Sequence, residues 1–204
     1  EGPVEPSLAA LYVLQACEGM ADVHAHGIVH RDLKPANLFL TQRADGTPLV
    51  KVLDFGIAKG VASAEGVEAA LTQTLVSMGT PLYMSPEQIR SSRHVDARSD
   101  VWSLGAIYYE LLVGRPAFGG NTVTAITAKV LEGHPTPPSE LRPGLSRAVD
   151  DIVASALAKD ADRRTIDLAG LAGALEPLAG PLGRGATQRI AEALAMSPHT
   201  VTSH

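Results

Sequence analysis

The sequence predicts a mainly α-helical domain with one small β-hairpin near its beginning. Five segments repeat apolar residues at helical spacing, between residues that commonly start and stop helices. Two short aliphatic runs early in the chain flank a turn sequence instead. The 204 residues fit one domain of ordinary size, without internal repeats.

The first helix is expected over residues 7–27. Ser7 is a suitable N-terminal cap, and Gly27 can close the helix. Apolar side chains form a stripe between them, namely Leu8, Leu11, Tyr12, Met20 and Val23. We expect His24 and His26 to be helix-end and surface residues, because no Cys or His partner stands at zinc-ligand spacing from them.

A polar loop over 30–37 leads into two strand candidates, LFLT (38–41) and LVKVLD (49–54). The pair Asp45-Gly46 between them is typical of a hairpin turn. From 54 to about 97 the periodicity is weak and Ser, Thr and Gly are abundant. This composition predicts a long ordered loop, and such loops are uncommon unless they serve a function.

The second strong helix, 99–114, is apolar on most faces and is therefore predicted to be buried. Ser99 is its expected cap and Gly114 its expected stop. We expect Trp102 and Tyr108 to be core residues. Three more helices are predicted over 121–132, 146–158 and 165–176, with Asn121 and Ser146 as caps of the first two and Pro177 after the third.

The composition is that of a globular chain with modest charge. Its hydrophobic fraction is 45% and its net charge −5, so nothing indicates a general attraction to nucleic acid or anionic membranes. The single cysteine, Cys17, excludes an internal disulfide, fits a reducing cytosol and is expected to be inert packing. No signal peptide opens the chain, and no apolar run approaches the ~18 residues that cross a membrane. We expect a cytoplasmic protein, and an anchor outside this segment stays open.

Two acidic motifs indicate a chemistry. The first is HRDLKPAN at 30–37, and the second is DFG at 54–56. Phosphoryl transfer requires positioning and charge neutralisation more than covalent chemistry. A carboxylate orients the attacking hydroxyl, a cation meets the γ-phosphate, and oxygen ligands hold Mg²⁺. The side chains that can supply these three functions are, in that order, Asp32, Lys34, and the pair Asn37 and Asp54.

Together with GTPLYMSPE (79–87) and DVWSLG (100–105), these motifs resemble the protein kinase superfamily. The resemblance is to the bacterial branch of the eukaryotic-like serine/threonine kinases, and it extends from about residue 7 to 176. It implies the C-terminal lobe of the kinase fold, ATP and Mg²⁺ as cofactors, and a protein substrate. The Lys34-Pro35 pair and the 79–87 run imply serine/threonine rather than tyrosine specificity.

The resemblance also implies a role for individual side chains. Asp32 would be the catalytic base, and Lys34 would contact the transferred phosphate. Asn37 and Asp54 would bind Mg²⁺, and Phe39 would touch the adenine. The residues implied to support the site structurally are His30, Phe55 and Gly56.

Other implied roles lie further from this loop. Glu87 should pair with an arginine late in the domain, and Arg164 stands where that partner falls. Ala161 replaces the usual proline in this stretch, so Arg163 stays an alternative. Asp100 matches the aspartate that holds the backbone of the catalytic loop from the buried helix.

The segment from the second motif, DFG at 54–56, to residue 87 resembles a kinase activation segment. Arg31, beside the catalytic aspartate, is the usual receptor for a phosphate on this segment. A phosphothreonine adds nearly two negative charges and would pair with that arginine. Thr72 and Thr74 resemble paired phosphosites, and we expect both to be autophosphorylated. Thr80 would bond Asp32 and shape the peptide groove.

The Gly-rich loop and the strand lysine of a kinase small lobe do not occur in these residues. We therefore expect the N-lobe to be absent from this chain, and segment 1–204 alone to be inactive. The alternative is a non-catalytic kinase-like module for binding or regulation. All four catalytic side chains are present, which favours the enzyme. Aminoglycoside-type kinases share the Asp and Asn spacing but lack Lys34-Pro35 and the 79–87 run.

We expect the kinase domain to occupy 1–176, and 177–204 to contain a linker and the start of a second unit. The run LAGPLGRG (178–185) is typical of a linker. Residues 186–204 predict an amphipathic helix and then a second helix opening at Ser197-Pro198. This pattern resembles the LuxR-type helix-turn-helix, which would make DNA a partner. The alternative is an extra helix behind the kinase domain, and no basic patch supports DNA binding.

Overall fold

The computed structural model describes residues 2–54, 81–91, 95–164 and 167–196. The helices in these ranges are α1 (Pro6–Ala25), α2 (Pro86–Arg90), α3 (Ala97–Val113), α4 (Val123–Glu132), α5 (Pro138–Leu141), α6 (Arg147–Ala156), α7 (Leu168–Leu175) and α8 (Ala186–Ala195). The strands are β1 (Leu38–Gln42) and β2 (Pro48–Val52), which pair antiparallel. The predicted class, mainly helical with one small hairpin, is confirmed.

Helix α1 packs against α3, α7, α8 and β2. Its cap is Glu5, whose carboxylate accepts from the backbone N–H groups of Ser7 at 2.9 Å and Leu8 at 3.1 Å. The expected cap, Ser7, is therefore wrong by two residues. Pro6 takes the first helical position, where its missing N–H costs nothing, and this starts the helix earlier. The helix ends just before Gly27, whose φ is 70°.

The hairpin follows the polar loop 30–37 and is fixed to α1. The register pairs Leu38 with Val52, Phe39 with Lys51 and Leu40 with Val50. Gly46 has a φ of 81° in the turn, as the turn sequence predicted. Gln15 of α1 donates to the Pro48 carbonyl at 3.1 Å and accepts from the Val50 N–H at 2.8 Å. This side chain therefore satisfies backbone groups along one edge of β2.

Helix α3 is buried over most of its length, as its apolar faces predicted. Asp96 caps it by accepting from the Arg98 N–H at 2.9 Å, so the helix begins two residues earlier than expected. Ser99 is inside the helix and not its cap. It is buried and donates to Glu87 at 2.6 Å. Gly114 ends the helix in a left-handed conformation with a φ of 78°, as expected.

The core gathers around α1 and α3. Trp102 and Tyr108 are fully buried, as predicted. The Trp102 ring stacks on Phe118 with 5.4 Å between ring centroids. The Lys159 ammonium lies 4.0 Å from the Phe118 centroid, at cation–π distance. Cys17 is fully buried in α1, and burial raises the pKa of its thiol, which is the environment of an inert cysteine.

The other helices differ from expectation mainly at their first residues. Thr122 caps α4, one residue after the expected Asn121. Ser146 precedes α6 as expected but makes no capping hydrogen bond through its side chain. Helix α7 is shorter than predicted and is capped by Asp167. The short helices α2 and α5 were not predicted, because five residues or fewer give no periodic pattern.

The residues expected to form a linker return the chain to α1. Ala179 and Gly183 are buried, and a Cβ on Gly183 would stand 3.0 Å from the Leu14 side chain. The predicted amphipathic helix is present as α8, which packs along α1. Ile190 of α8 is 1% exposed and belongs to the same apolar core as α1 and α3.

Some predictions fall outside the described residues. They concern residues Phe55, Gly56, Thr72, Thr74 and Thr80, and the second tail helix from residue 197. The division of the chain into 1–176 and 177–204 stays a prediction. None of the helices in the described ranges combines the length and apolarity needed to span a bilayer.

Candidate active site

Asp100, near the start of α3, holds the loop that follows α1. Its side chain is 1% exposed. Oδ2 accepts from the backbone N–H of His30 at 2.9 Å, and Oδ1 accepts from that of Arg31 at 3.0 Å. An irregular buried backbone needs such acceptors for its N–H groups, and an ionised carboxylate is a strong one. The contact is the one that the sequence resemblance implied for Asp100.

His24 of α1 contacts the same carboxylate, with 2.9 Å between Nε2 and Asp100 Oδ2. Its side chain is 5% exposed, so the expectation that His24 is a surface residue is wrong, whereas His26 is exposed. The sequence did contain a signal. His24 follows Met20 by four residues, which places it on the buried face of α1.

The backbone is strained at two positions of the site. Among the described residues other than glycine, only Arg31 (φ 65°) and Asp54 (φ 54°) have positive φ. Such a conformation costs about 1–3 kcal/mol and persists only where surrounding contacts impose it. For Arg31, one of those contacts is the hydrogen bond from its N–H to Asp100.

Three of the predicted catalytic side chains meet in one loop. Lys34 Nζ donates to Asp32 Oδ2 at 3.0 Å. The Asn37 side chain donates to the Asp32 carbonyl at 2.8 Å, from the 3-10 turn Pro35–Asn37. Asn37 is buried, whereas the Lys34 and Asp32 side chains are 32% and 15% exposed. The carboxylate and the ammonium are therefore open to a molecule arriving from solvent.

Leu53 ties the second motif to this loop. Its N–H donates to the Asn37 carbonyl at 2.9 Å, and its own carbonyl lies 3.1 Å from His30 Nε2. A carbonyl can only accept, so Nε2 carries the hydrogen, and His30 Nδ1 is then the acceptor for the Asp32 N–H at 3.3 Å. Asp54 is the next residue after Leu53, so its backbone starts beside the loop that carries Asp32.

The hairpin exposes apolar side chains next to these groups. Phe39 is 55% and Leu40 51% exposed on β1, and Ile28 and Leu53 are 41% and 39% exposed nearby in the chain. Exposed apolar residues that recur in one region commonly mark a binding surface. Phe39, the predicted adenine contact, lies two residues after Asn37 and is open to solvent.

A second polar cluster joins α2 to the far end of the helical domain. Arg164 donates to both carboxylate oxygens of Glu87, at 2.9 and 3.2 Å, and Ser99 donates to Oε1 at 2.6 Å. Burial alone would raise the pKa of Glu87, but hydrogen bonds from Arg164 and Ser99 outweigh it and hold that pKa below its ordinary value. Of the two arginines expected as partners of Glu87, Arg164 is the one that bonds to it. Arg163 is exposed and stands 3.7 Å from Asp160.

Asn37 and Asp54, the predicted metal ligands, carry oxygen atoms of the kind that bind hard cations such as Mg²⁺. Within the described ranges, no group of three or more His, Cys, Asp or Glu side chains could hold a metal ion by itself. Asn37 donates to the Asp32 carbonyl and carboxylate through its amide nitrogen, and an amide oxygen is a ligand atom that a hard cation accepts. An amide oxygen and a carboxylate are ligand types that suit Mg²⁺, which typically takes one or two protein ligands and fills its shell with water and phosphate oxygens.

Known proteins are similar to this chain in sequence. Residues 1–169 match the protein kinase domain family. The chain is 42% identical over 164 residues to the serine/threonine-protein kinase PknB of Mycobacterium tuberculosis. The aligned residues are 80% of this chain and 25% of the relative. This chain is 40% identical over 202 residues to the probable serine/threonine-protein kinase CE0033 of Corynebacterium efficiens, with 97% and 29% covered. Identity to the serine/threonine-protein kinase Pkn1 of Myxococcus xanthus is 40% over 174 residues, with 85% and 24% covered. The chain spans about a quarter of the length of these relatives.

Proposed function

Because this chain belongs to the protein kinase family, we propose that it forms the C-terminal lobe of a serine/threonine protein kinase. The reaction is transfer of the γ-phosphate of ATP to serine and threonine hydroxyls of protein substrates. The observation that supports the proposal best is the loop 30–37. There the Lys34 ammonium donates to the Asp32 carboxylate at 3.0 Å and the Asn37 amide donates to the Asp32 backbone carbonyl at 2.8 Å, beside the strand end that leads to Asp54.

In this proposal Asp32 accepts a hydrogen bond from the attacking hydroxyl and takes its proton as the new bond forms. Lys34 contacts the transferred phosphate and offsets its charge. Its 3.0 Å bond to Asp32 supports this role, because it places the ammonium beside the carboxylate that receives the proton. Asn37 and Asp54 hold Mg²⁺, which would align and neutralise the phosphates of ATP. The exposed ring of Phe39 supplies an apolar contact for the adenine.

We assign supporting roles to the remaining predicted residues. His30 and Phe55 align the two motifs, and Gly56 completes the second one. Glu87, Arg164 and Asp100 maintain the fold around the loop, a role that their buried hydrogen bonds support.

We further propose that a kinase small lobe, carried outside these residues, completes the nucleotide site and covers the apolar hairpin. The exposed fractions of Phe39 and Leu40 support this assignment. Purified residues 1–204 should then show negligible phosphate transfer.

The activation segment is proposed to be regulated by phosphorylation. Thr72 and Thr74 are the proposed autophosphorylation sites, Arg31 the proposed receptor for the added phosphate, and Thr80 the proposed partner of Asp32. Phosphopeptide mapping of the active enzyme should find phosphate on Thr72 and Thr74. Active enzyme with both threonines unmodified contradicts this proposal.

The proposed reaction can be measured on the longest natural polypeptide that contains these residues, with labelled ATP, Mg²⁺ and a generic protein substrate. We expect label on serine or threonine, and a fall in kcat of about 10²–10⁴-fold in Asp32→Asn. Asp151→Asn, a matched change at an exposed position of α6, should leave kcat unchanged. Undiminished transfer by Asp32→Asn would refute the assigned base.

The second candidate function is a non-catalytic kinase-like module that binds or regulates a partner. It predicts a wild-type polypeptide that transfers no phosphate in the same assay. The bond from Lys34 to the Asp32 carboxylate and the bond from Asn37 to the Asp32 carbonyl favour the enzyme, because a scaffold has no chemical need for that combination.

The proposal also covers the location of this lobe and DNA as a partner. We propose a cytoplasmic position for this lobe, with any membrane anchor outside these residues. A helix-turn-helix that binds DNA would need the segment after α8. The apolar face of α8 packs against α1, and this contact favours the alternative, an extra helix behind the kinase domain.

A further inference from the structure

Gln88, in the short helix α2, bridges two parts of the chain. Its Nε2 donates to the Arg31 carbonyl at 2.7 Å, and its Oε1 accepts from the Ser85 N–H at 3.0 Å. Ser85 caps α2 by accepting from the Gln88 N–H at 3.3 Å, so the two residues form a capping box. The side chain that completes this cap therefore also reaches the loop that carries Asp32.

Chemistry fixes the orientation of this amide. The Arg31 carbonyl can only accept and the Ser85 N–H can only donate, so a flipped amide would lose both bonds. Glutamine is the side chain that can serve both partners from α2 with one donor and one acceptor. A glutamate at this position would keep the acceptor and lose the donor when ionised.

The peptide group that Gln88 contacts lies in a strained stretch of backbone. Arg31 has a φ of 65°, and its N–H is held by Asp100 at 3.0 Å. Its carbonyl, on the other side, belongs to the peptide bond that continues into Asp32. Asp100 and Gln88 thus hold Arg31 from both sides, and contacts of this kind are what a non-glycine residue with positive φ requires.

The other end of the bridge is firmly anchored. The Ser85 hydroxyl donates to Ser99 at 3.1 Å, and Glu87, next to Gln88, is bonded to Ser99 and Arg164. Helix α2 is therefore fixed to α3 independently of Gln88. Its glutamine can transmit that fixed position to the catalytic loop.

We propose that Gln88 is a positioning residue for phosphate transfer: its amide holds the Arg31–Asp32 peptide, so that the Asp32 carboxylate is aimed only while α2 is docked against the loop. This role rests on the proposed kinase function. It extends that function by making the helix directly after the activation segment part of the machinery that orients the base.

The test uses the longest natural polypeptide that contains these residues, with steady-state kinetics between pH 5 and pH 8.5. Gln88→Glu should lower kcat about tenfold near pH 8, where an ionised carboxylate faces the Arg31 carbonyl. The KM for ATP should stay within about twofold, since the change removes no bond to the nucleotide. The kcat deficit relative to wild type should shrink towards pH 5, because a protonated carboxyl can donate to that carbonyl again.

Two further variants separate positioning from folding. Gln88→Met removes both bonds without adding charge and should lower kcat at every pH without the acid recovery. Arg90→Ala changes the exposed last residue of the same helix but leaves the bond from Gln88 to Arg31, so its kcat should match wild type. Thermal unfolding of all three variants reports any loss of folding, which would lower activity equally at each pH.

The outcomes distinguish the two levels of inference. Wild-type kcat in Gln88→Glu at all pH values, or a deficit that does not change with pH, would overturn the role of Gln88 and leave the kinase assignment intact. A wild-type polypeptide that transfers no phosphate overturns the proposed function, and the role of Gln88 with it.

Discussion

The polar loop, 30–37, and the tail, 177–196, both adjoin α1, but different interactions hold them. The loop is irregular, and buried polar side chains such as Asp100 bond its backbone N–H groups. The tail is held by α8, which buries Ile190 in the core and adds an exposed ion pair between Arg189 and Glu18. The loop therefore depends on a few directional bonds, and the tail depends on apolar area that many residues share.

This difference is also a difference in tolerance. A buried carboxylate that bonds two backbone N–H groups and His24 has no close substitute, because every other side chain leaves a donor unsatisfied. An apolar contact accepts any side chain of similar volume. Substitutions in the two regions should therefore change activity and stability in different proportions.

The largest effect is expected from Asp100→Ala. It leaves the N–H groups of His30 and Arg31 and the ring of His24 without their buried acceptor, which should cost about 3–5 kcal/mol of unfolding free energy. Urea unfolding of the chain measures this cost, and Asp151→Ala at an exposed position is the control. Activity of the longer polypeptide should fall as well. A loss below 1 kcal/mol would show that the loop does not depend on Asp100.

A smaller effect on stability is expected from Ile190→Ala in the tail, at about 2–5 kcal/mol, because it opens a cavity where a side chain is 1% exposed. Leu182→Ala, at a position that is 53% exposed, should change stability by less than about 0.5 kcal/mol. The kcat of the folded fraction should not change in either variant. Reduced kcat in fully folded Ile190→Ala would mean that the tail takes part in the reaction.

Next in size is Glu87→Gln, with a cost of about 1–2 kcal/mol at pH 7 from the weakened bonds to Arg164 and Ser99. The folded pKa of Glu87 lies below its ordinary value of 4.5, so its contribution is complete above that value and is lost as the pH falls through the lowered one. Urea midpoints from pH 7 to pH 3 should therefore converge for variant and wild type at the acid end. A constant difference across this range would contradict the assignment.

The smallest effect is expected from Arg189→Ala, which removes the exposed ion pair with Glu18. Pairs of this kind contribute about 0.2–1 kcal/mol, and salt screens them. The difference in urea midpoint should vanish in 1 M NaCl. A large cost that persists in salt would mean that the stem of Arg189 packs on α1, which would make the tail more specific than the comparison assumes.

Local sequence patterns predicted the elements that depend on residues near one another in the chain. The apolar periodicity predicted α1 and α3, and the Asp45-Gly46 turn predicted the hairpin; all three are present. The two motifs predict a site around Asp32, to which Lys34 and Asn37 are bonded. The helix starts were less predictable, because several residues near each start can cap it. Asp96 and Ser99 both qualify for α3, and tertiary contact with Glu87 decides that Ser99 is interior.

Contacts distant in sequence were predicted where the family resemblance implied them, as for Glu87 and Arg164, and not from local patterns. His24 and Asp100 are 76 positions apart, and Gln88 and Arg31 are 57 apart. The Gly- and Pro-rich composition after α7 is typical of a linker, yet Gly183 there allows close approach to Leu14 of α1. Glycine marks both flexible and tightly packed backbone, and only the fold distinguishes the two.

The burial of Cys17 has a practical consequence. It is the only thiol in the chain, and its position inside α1 together with its raised pKa makes it unreactive towards alkylating reagents while the protein is folded. The folded native chain is therefore not expected to react with thiol-directed labels. A cysteine introduced at exposed Arg90, near the end of α2, would accept a fluorophore alone and could report movement of that helix in real time.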